Sequence, residues 1–242
     1  MGIILHGVFD EKPHPKTVAV ITCGGSGTRM GLGYNKLFMS ICDKPVIAYT
    51  LDAFETCPLI DSIVIVAHPN EIALFEEIVE DYEYSKVLMI VSGGKTRQES
   101  VSNGISVIDP SFEIVCVHDG ARPLITSEEI IDTINCADKH GSACSGIYSK
   151  DTVKKASENI FTETLNREEL FLVRTPQTFK REIIEDIFKT SAEKAFVGTD
   201  ESSLAELCGY KVHAVEGKST NIKLTDKNDY YLISAYLTCE ED

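Results

Sequence analysis

The chain has no apolar run approaching the roughly 20 residues needed to cross a bilayer, which argues against a membrane-spanning helix. Its first ten residues, MGIILHGVFD, lack the basic n-region and long apolar stretch of a signal peptide. Basic residues are scarce. The 23 lysines and arginines stand against 38 acids, a formal charge of −15, so non-specific binding to nucleic acid or an anionic membrane is not expected. The eight cysteines contain no CxxC pair, so zinc-ligand spacing and a disulfide framework are both missing, and a reducing cytoplasm is the simpler setting. His68, His118, His140 and His213 are scattered, which gives a histidine-based acid–base or metal site little support. No internal repeat or low-complexity segment is evident.

What remains is ordinary globular material. The 242 residues are 43% hydrophobic and 25% charged, enough to bury a substantial core. Residues 1–16 carry mixed charge and little periodicity, and read as a flexible extension ahead of one domain spanning 17–242. Short β-branched runs at 18–22, 62–67, 87–91 and 113–118 have the near-continuous hydrophobicity of strands buried on both faces. Between them, 45–56, 70–82, 97–108 and 127–139 have helical spacing, with Pro45 suited to a first turn and Ser127 to an N-terminus. That alternation predicts an α/β fold, a three-layer α/β/α open and mostly parallel sheet, with ligands beyond the carboxyl ends of the strands. After Ile147 the pattern breaks. Residues 150–174 are polar, lack a helical stripe and contain Asn159 as a turn, so they read as a projecting β-hairpin arm. Helices are expected near 180–189 and 200–208, a strand at 211–216, and a last helix from about Lys227.

Each concentrated polar motif follows a predicted strand. CGGSGTRMG, residues 23–31, has glycines that let backbone amides approach an anion. From Gly25 and Gly27 the next glycine, Gly31, comes one residue late for a dinucleotide loop, and no lysine stands where a GxxxxGK[ST] loop needs one. Arg29 and Lys36 together suit a triphosphate; a glycine turn with solvated charges is the plainer alternative. GGKTRQESV, residues 93–101, offers Gly93 and Gly94 for close approach and Ser100 as a donor near a helix start. VHDGARP, residues 117–123, ends a strand on Asp119. A carboxylate there suits Mg²⁺ bridging phosphates, while an Asp119–Arg122 ion pair shaping the turn is compatible with that reading.

Taken in order, GGSGTRMG, NKLF, KPVIAYT, GGKTRQESVSNG, HDGARP, DTVK, LNR, TPQTF, TDESS and NIKLT resemble the 2-C-methyl-D-erythritol 4-phosphate cytidylyltransferase family of isoprenoid synthesis, over about residues 18–237. The resemblance implies a Rossmann-like nucleotidyltransferase fold and a homodimer whose arms complete each other's sites. By the same resemblance, Cys23, Gly24, Gly25, Ser26, Gly27, Gly93, Gly94, Ser100, Asp119 and Gly120 would surround CTP. Arg29, Lys36 and Lys223 would be the catalytic cations. Asp119, Arg122, Thr152, Arg167 and Thr175 would hold the polyol phosphate, and Asp119 would hold Mg²⁺ or another divalent cation. The chain departs from the family at Thr22-Cys23-Gly24, at Leu37, at Asp43 and at Lys95, where some relatives carry an acid. The implied reaction is in-line attack by the substrate phosphate on the α-phosphorus of CTP. A ribitol 5-phosphate cytidylyltransferase and a non-catalytic nucleotide-binding regulator are the alternatives.

Overall fold

The structure is a computed structural model that describes residues 14–24 and 34–238; residues 1–13 of the expected extension lie outside that set. Thr17–Thr22 forms β1, and Ser40–Ile41 and Lys44–Pro45 pair as the short ladder of β2 and β3. Then come α1 (Val46–Thr56), β4 (Ser62–Ala67), α2 (Ile72–Asp81), β5 (Val87–Ser92), α3 (Arg97–Ser106), β6 (Ile114–Asp119), α4 (Ser127–His140) and β7 (Ser142–Tyr148). The hairpin of β8 (Lys154–Ser157) and β9 (Ile160–Thr164) precedes β10 (Phe171–Lys180), α5 (Arg181–Lys194), α6 (Glu201–Leu207), β11 (His213–Glu216) and α7 (Lys227–Thr238).

Seven strands form the main sheet in the order β11-β7-β10-β6-β1-β4-β5. All neighbours run parallel except at β10, which is antiparallel to both β6 and β7. Alternating side chains feed two cores. Ala19, Ile21, Ile63, Ile65, Ile114 and Cys116 pack on one face with Leu51, Phe54, Phe75 and Ile130, while Val18, Val20, Val64, Val66, Val115 and Val117 pack on the other with Val101, Ile105, Ile184 and Leu204. Helices therefore cover both faces, which is the three-layer arrangement expected. α3 lies especially close to the sheet: a Cβ at Gly104 would stand 2.7 Å from Val20 Cγ1 and 2.8 Å from Val66 Cγ2. That contact brings the last turn of α3 close over β1 and β4.

Several local expectations are corrected. β5 is an edge strand with Leu88 and Met89 exposed, so its apolar run is not buried on both faces. Pro45 is the N-cap of α1 and not part of its first turn. Ser127 is the first residue of α4, as expected, and Thr126 before it is the N-cap, in a capping box with Glu129. β10 was not expected, because its buried residues Thr175, Gln177 and Thr178 are polar. They are tolerated because each is bonded: Gln177 reaches Arg174 O, Asp200 Oδ2 and Ser202 N, and Thr178 donates to Thr133 Oγ1 at 3.1 Å. Since β10 begins at Phe171 and pairs with β7, residues 171–174 belong to the main sheet. The arm proper is the β8–β9 hairpin, turned by Glu158 and Asn159 at φ of 50° and 64°. No helix among the described residues is long and apolar enough to cross a membrane.

Candidate active site

Beyond the carboxyl ends of β1 and β6 lie two cavities, of about 230 and 170 Å³, that share Arg97, Asp119 and Lys223 as a common wall. The cavities therefore lie on the side of the sheet where an open α/β fold is expected to take a ligand.

Cys23, Gly24, Lys36, Gly94 and Ser100 line the first cavity with that wall. Lys36 is 8% exposed. Its turn, Lys36–Phe38, is fixed by Asn35, whose side chain accepts from Leu37 N at 3.1 Å and donates to Cys23 O at 2.9 Å and Glu71 Oε2 at 2.8 Å. On the opposite side, Thr96 caps α3 by accepting from Glu99 N at 3.0 Å. Ser100 Oγ donates to Thr96 O at 2.8 Å and accepts from Gly94 N at 3.0 Å. A Cβ at Gly94 would come within 2.3 Å of Glu99 Cβ, so only glycine fits this turn. Gly93 and Gly120 shape the cavity without lining it. Gly93 N donates to Ala67 O at 2.7 Å, and Gly120 donates to Thr22 O and accepts from Thr50 Oγ1, both at 3.0 Å. Gly25, Ser26, Gly27 and Arg29 lie outside the described residues.

Asp119 is the electrostatic centre. Lys223 Nζ stands 3.0 Å and Arg122 Nε 3.2 Å from its Oδ2, and Arg97 Nε 3.6 Å from its Oδ1. Burial pushes the Asp119 carboxyl up, but Lys223, Arg97 and Arg122 more than reverse this and hold it well below the usual carboxylate range. Lys223 is brought in by its loop, where Leu224 N donates to Ala121 O at 2.7 Å. The backbone of Asp119 is set by Thr175, whose hydroxyl accepts from Asp119 N at 3.1 Å.

Arg122, Arg174, Thr175, Gln177 and Asp200 line the second cavity beside the shared wall. Thr175 Oγ1 also lies 3.0 Å from His118 Nδ1. Burial drops the His118 pKa to about 3, so its ring is neutral near neutral pH and serves as packing beneath the site, 5.0 Å from Phe54. His140 and His213, expected to be apart, stack with ring centroids 4.2 Å apart at the far side of β7.

Thr152 and Arg167 are not brought to these cavities within one chain. Both are exposed in the segments that flank the β8–β9 hairpin, and Arg167 Nη1 donates to Lys150 O at 3.1 Å. Sequence reasoning missed Arg97, Glu201 and Arg174. The first two stand within the motifs GGKTRQESV and TDESS, and Arg174 opens the stretch RTPQTF, but nothing in their spacing links them. No group of three or more His, Cys, Asp or Glu side chains among the described residues is placed to hold a metal by itself.

A family profile described as 2-C-methyl-D-erythritol 4-phosphate cytidylyltransferase matches residues 17–239. A protein of that name from Caldanaerobacter subterraneus is 42% identical over 221 residues, covering 90% of this chain and 97% of the relative. Another from Clostridium tetani is 44% identical over 215 residues, 88% of this chain and 87% of the relative. The crystal structure of 4-diphosphocytidyl-2C-methyl-D-erythritol synthase from Anaerococcus prevotii matches with a TM-score of 0.82 at 31% identity, over 93% of this chain and 99% of that one.

Proposed function

Because the chain belongs to the 2-C-methyl-D-erythritol 4-phosphate cytidylyltransferase family, we propose that its two cavities divide the family's two substrates, CTP in the first and the polyol phosphate in the second. The enzyme transfers the cytidylyl group of CTP to 2-C-methyl-D-erythritol 4-phosphate, giving 4-diphosphocytidyl-2-C-methyl-D-erythritol and pyrophosphate. The relatives reported above all carry the methylerythritol name, which favours that substrate over ribitol 5-phosphate, and the retained cations disfavour a non-catalytic regulator.

The observation that carries the division is the shared wall of Arg97, Asp119 and Lys223. A phosphate oxygen of the polyol substrate attacks the α-phosphorus of CTP there. A new P–O bond forms as the α–β bridging P–O bond breaks, and the electron pair leaves with pyrophosphate. The nucleophile is already an anion near neutral pH, so no general base is needed. Catalysis falls to fixed cations that offset charge spreading over the phosphoryl oxygens. We assign that work to Lys36 and Lys223, with Arg29 from the glycine loop. Cys23, Gly24, Gly94 and Ser100 border the nucleotide, and Arg122 and Thr175 border the polyol phosphate.

Magnesium fits as a guest of the substrate more than of the protein. Asp119 alone offers a hard carboxylate at the wall, and Mg²⁺ commonly binds one or two carboxylates plus phosphates and waters. Held by Asp119 and the triphosphate, it would neutralise charge on the leaving group.

Thr152 and Arg167 need a second subunit to reach a site, so we propose a homodimer with arms exchanged. Ile160 and Phe161, 68% and 72% exposed on the hairpin, support this, because an isolated two-stranded hairpin is marginal in water. The described cysteines are all free thiols, in keeping with a cytoplasmic enzyme. The test is pyrophosphate release with Mg²⁺ and CTP, comparing methylerythritol 4-phosphate with ribitol 5-phosphate. Release confined to the former is expected; release only with ribitol phosphate would overturn the substrate, and silence with both would overturn the reaction.

A further inference from the structure

We propose that Arg174 is a further binding residue for the polyol phosphate, one that grips its phosphate dianion in the second cavity. The inference rests on the cytidylyltransferase reading above and adds a residue to which the sequence motifs gave no role.

Four cations line that cavity: Arg97, Arg122, Arg174 and Lys223. Three are already matched. Arg97 is held by Glu201 and Asp119, and Arg122 and Lys223 lie against Asp119. The cavity's other acid, Asp200, is taken up by the cap of α6 and by Gln177. Arg174 differs. No carboxylate among the described residues stands within ion-pair distance of it. It is nonetheless fixed, because Nη1 is shared among Lys218 O at 3.0 Å, Ser219 O at 3.2 Å and Asn221 O at 2.9 Å. Nε and Nη2 have no hydrogen-bond partner among the described residues.

Arg122 Nη1 donates to the same Asn221 carbonyl at 2.9 Å, so two guanidinium groups converge on one oxygen. Burial and the nearby Arg122 hold Arg174 below the ordinary arginine pKa, with Glu129 offsetting them only in part. Like charges gathered at a cavity with one fork unfilled are relieved by an anion. A phosphate monoester dianion presents the oxygens that a guanidinium fork matches. Arg174 lines the second cavity and not the first, so its effect should fall on the polyol phosphate and spare CTP.

The experiment uses the full chain with Arg174→Ala and Arg174→Lys. Loss of a charged hydrogen bond predicts that Arg174→Ala raises KM for methylerythritol 4-phosphate about 10-fold or more. KM for CTP should stay within about twofold, and Arg174→Lys, which keeps the charge but not the fork, should recover only part of the loss. An unchanged KM for methylerythritol 4-phosphate overturns the proposal. So does a parallel rise in both KM values that lysine fails to repair, which would make Arg174 only a clamp on the 218–221 loop. If the wild-type protein does not turn over methylerythritol 4-phosphate, the reaction reading fails. Arg174 is then judged by calorimetric binding of inorganic phosphate, where weaker binding by Arg174→Ala supports it and equal binding overturns it.

Discussion

Arg97 and Glu201 meet fork to fork, Nη1 to Oε1 at 2.6 Å and Nη2 to Oε2 at 2.9 Å, and so tie the first residue of α3 to the first residue of α6. Glu201 is almost wholly buried. Burial pushes its carboxyl above the ordinary glutamate value even though Arg97 pulls the other way. With its Nη atoms held by Glu201, Arg97 keeps its Nε toward Asp119. The pair therefore holds one of the three cations that keep Asp119 ionised.

Stability and activity should separate at this pair. Arg97→Ala leaves a buried, unpaired carboxylate and should cost about 3 kcal/mol or more of stability. Arg97→Met with Glu201→Leu fills the space with apolar atoms and should recover most of that loss in urea denaturation. Turnover of the double variant should stay low, because Asp119 has lost a neighbour. A double variant as active as wild type would show that the pair is only structural.

Lys36 and the arm can be tested together. Lys36→Ala should lower kcat about 10²-fold, the scale for loss of one oxyanion donor, and Arg167→Ala should raise KM for the polyol phosphate. If arms act across a dimer, co-expressing the two variants should generate hybrids in which one site keeps both Lys36 and Arg167. Activity above that of either homodimer is the expected result. Purely additive activity would mean that each arm serves its own chain.

Thiol reactivity should follow burial. Burial first, tempered or aided by neighbours, pushes Cys116 and Cys144 up to about 12, so at pH 8 each is almost wholly in the unreactive thiol form. Cys42 is exposed. Mass spectrometry after brief alkylation should find Cys42 modified and Cys116 and Cys144 protected until denaturant is added. Early labelling of Cys116 would mean that β6 opens in the native state.

Much of the fold could be read locally. The β-branched runs of β1, β4 and β6 and the amphipathic stripes of α1 to α4 are short-range signals, and each appeared close to its expected place. β10 escaped because its buried Thr175, Gln177 and Thr178 are polar. Only their partners, Asp200, Ser202 and Thr133, make that burial tolerable, and those partners lie far away in the chain. The exposed edge of β5 was equally illegible, since strand order is not a local property.

The site divides the same way. The order and chemistry of the motifs determined the family and hence the reaction, along with Lys36, Asp119, Arg122 and Lys223 as charged groups that follow strands or loops. What the tertiary structure decided was their grouping: three cations around one Asp119 carboxylate, Glu201 holding Arg97, and Arg174 turned into the second cavity by three loop carbonyls. The physical reason is range. Hydrophobic periodicity and turn chemistry act over a few residues, whereas buried charges must be balanced across space, by partners that only the folded chain brings within about 4 Å.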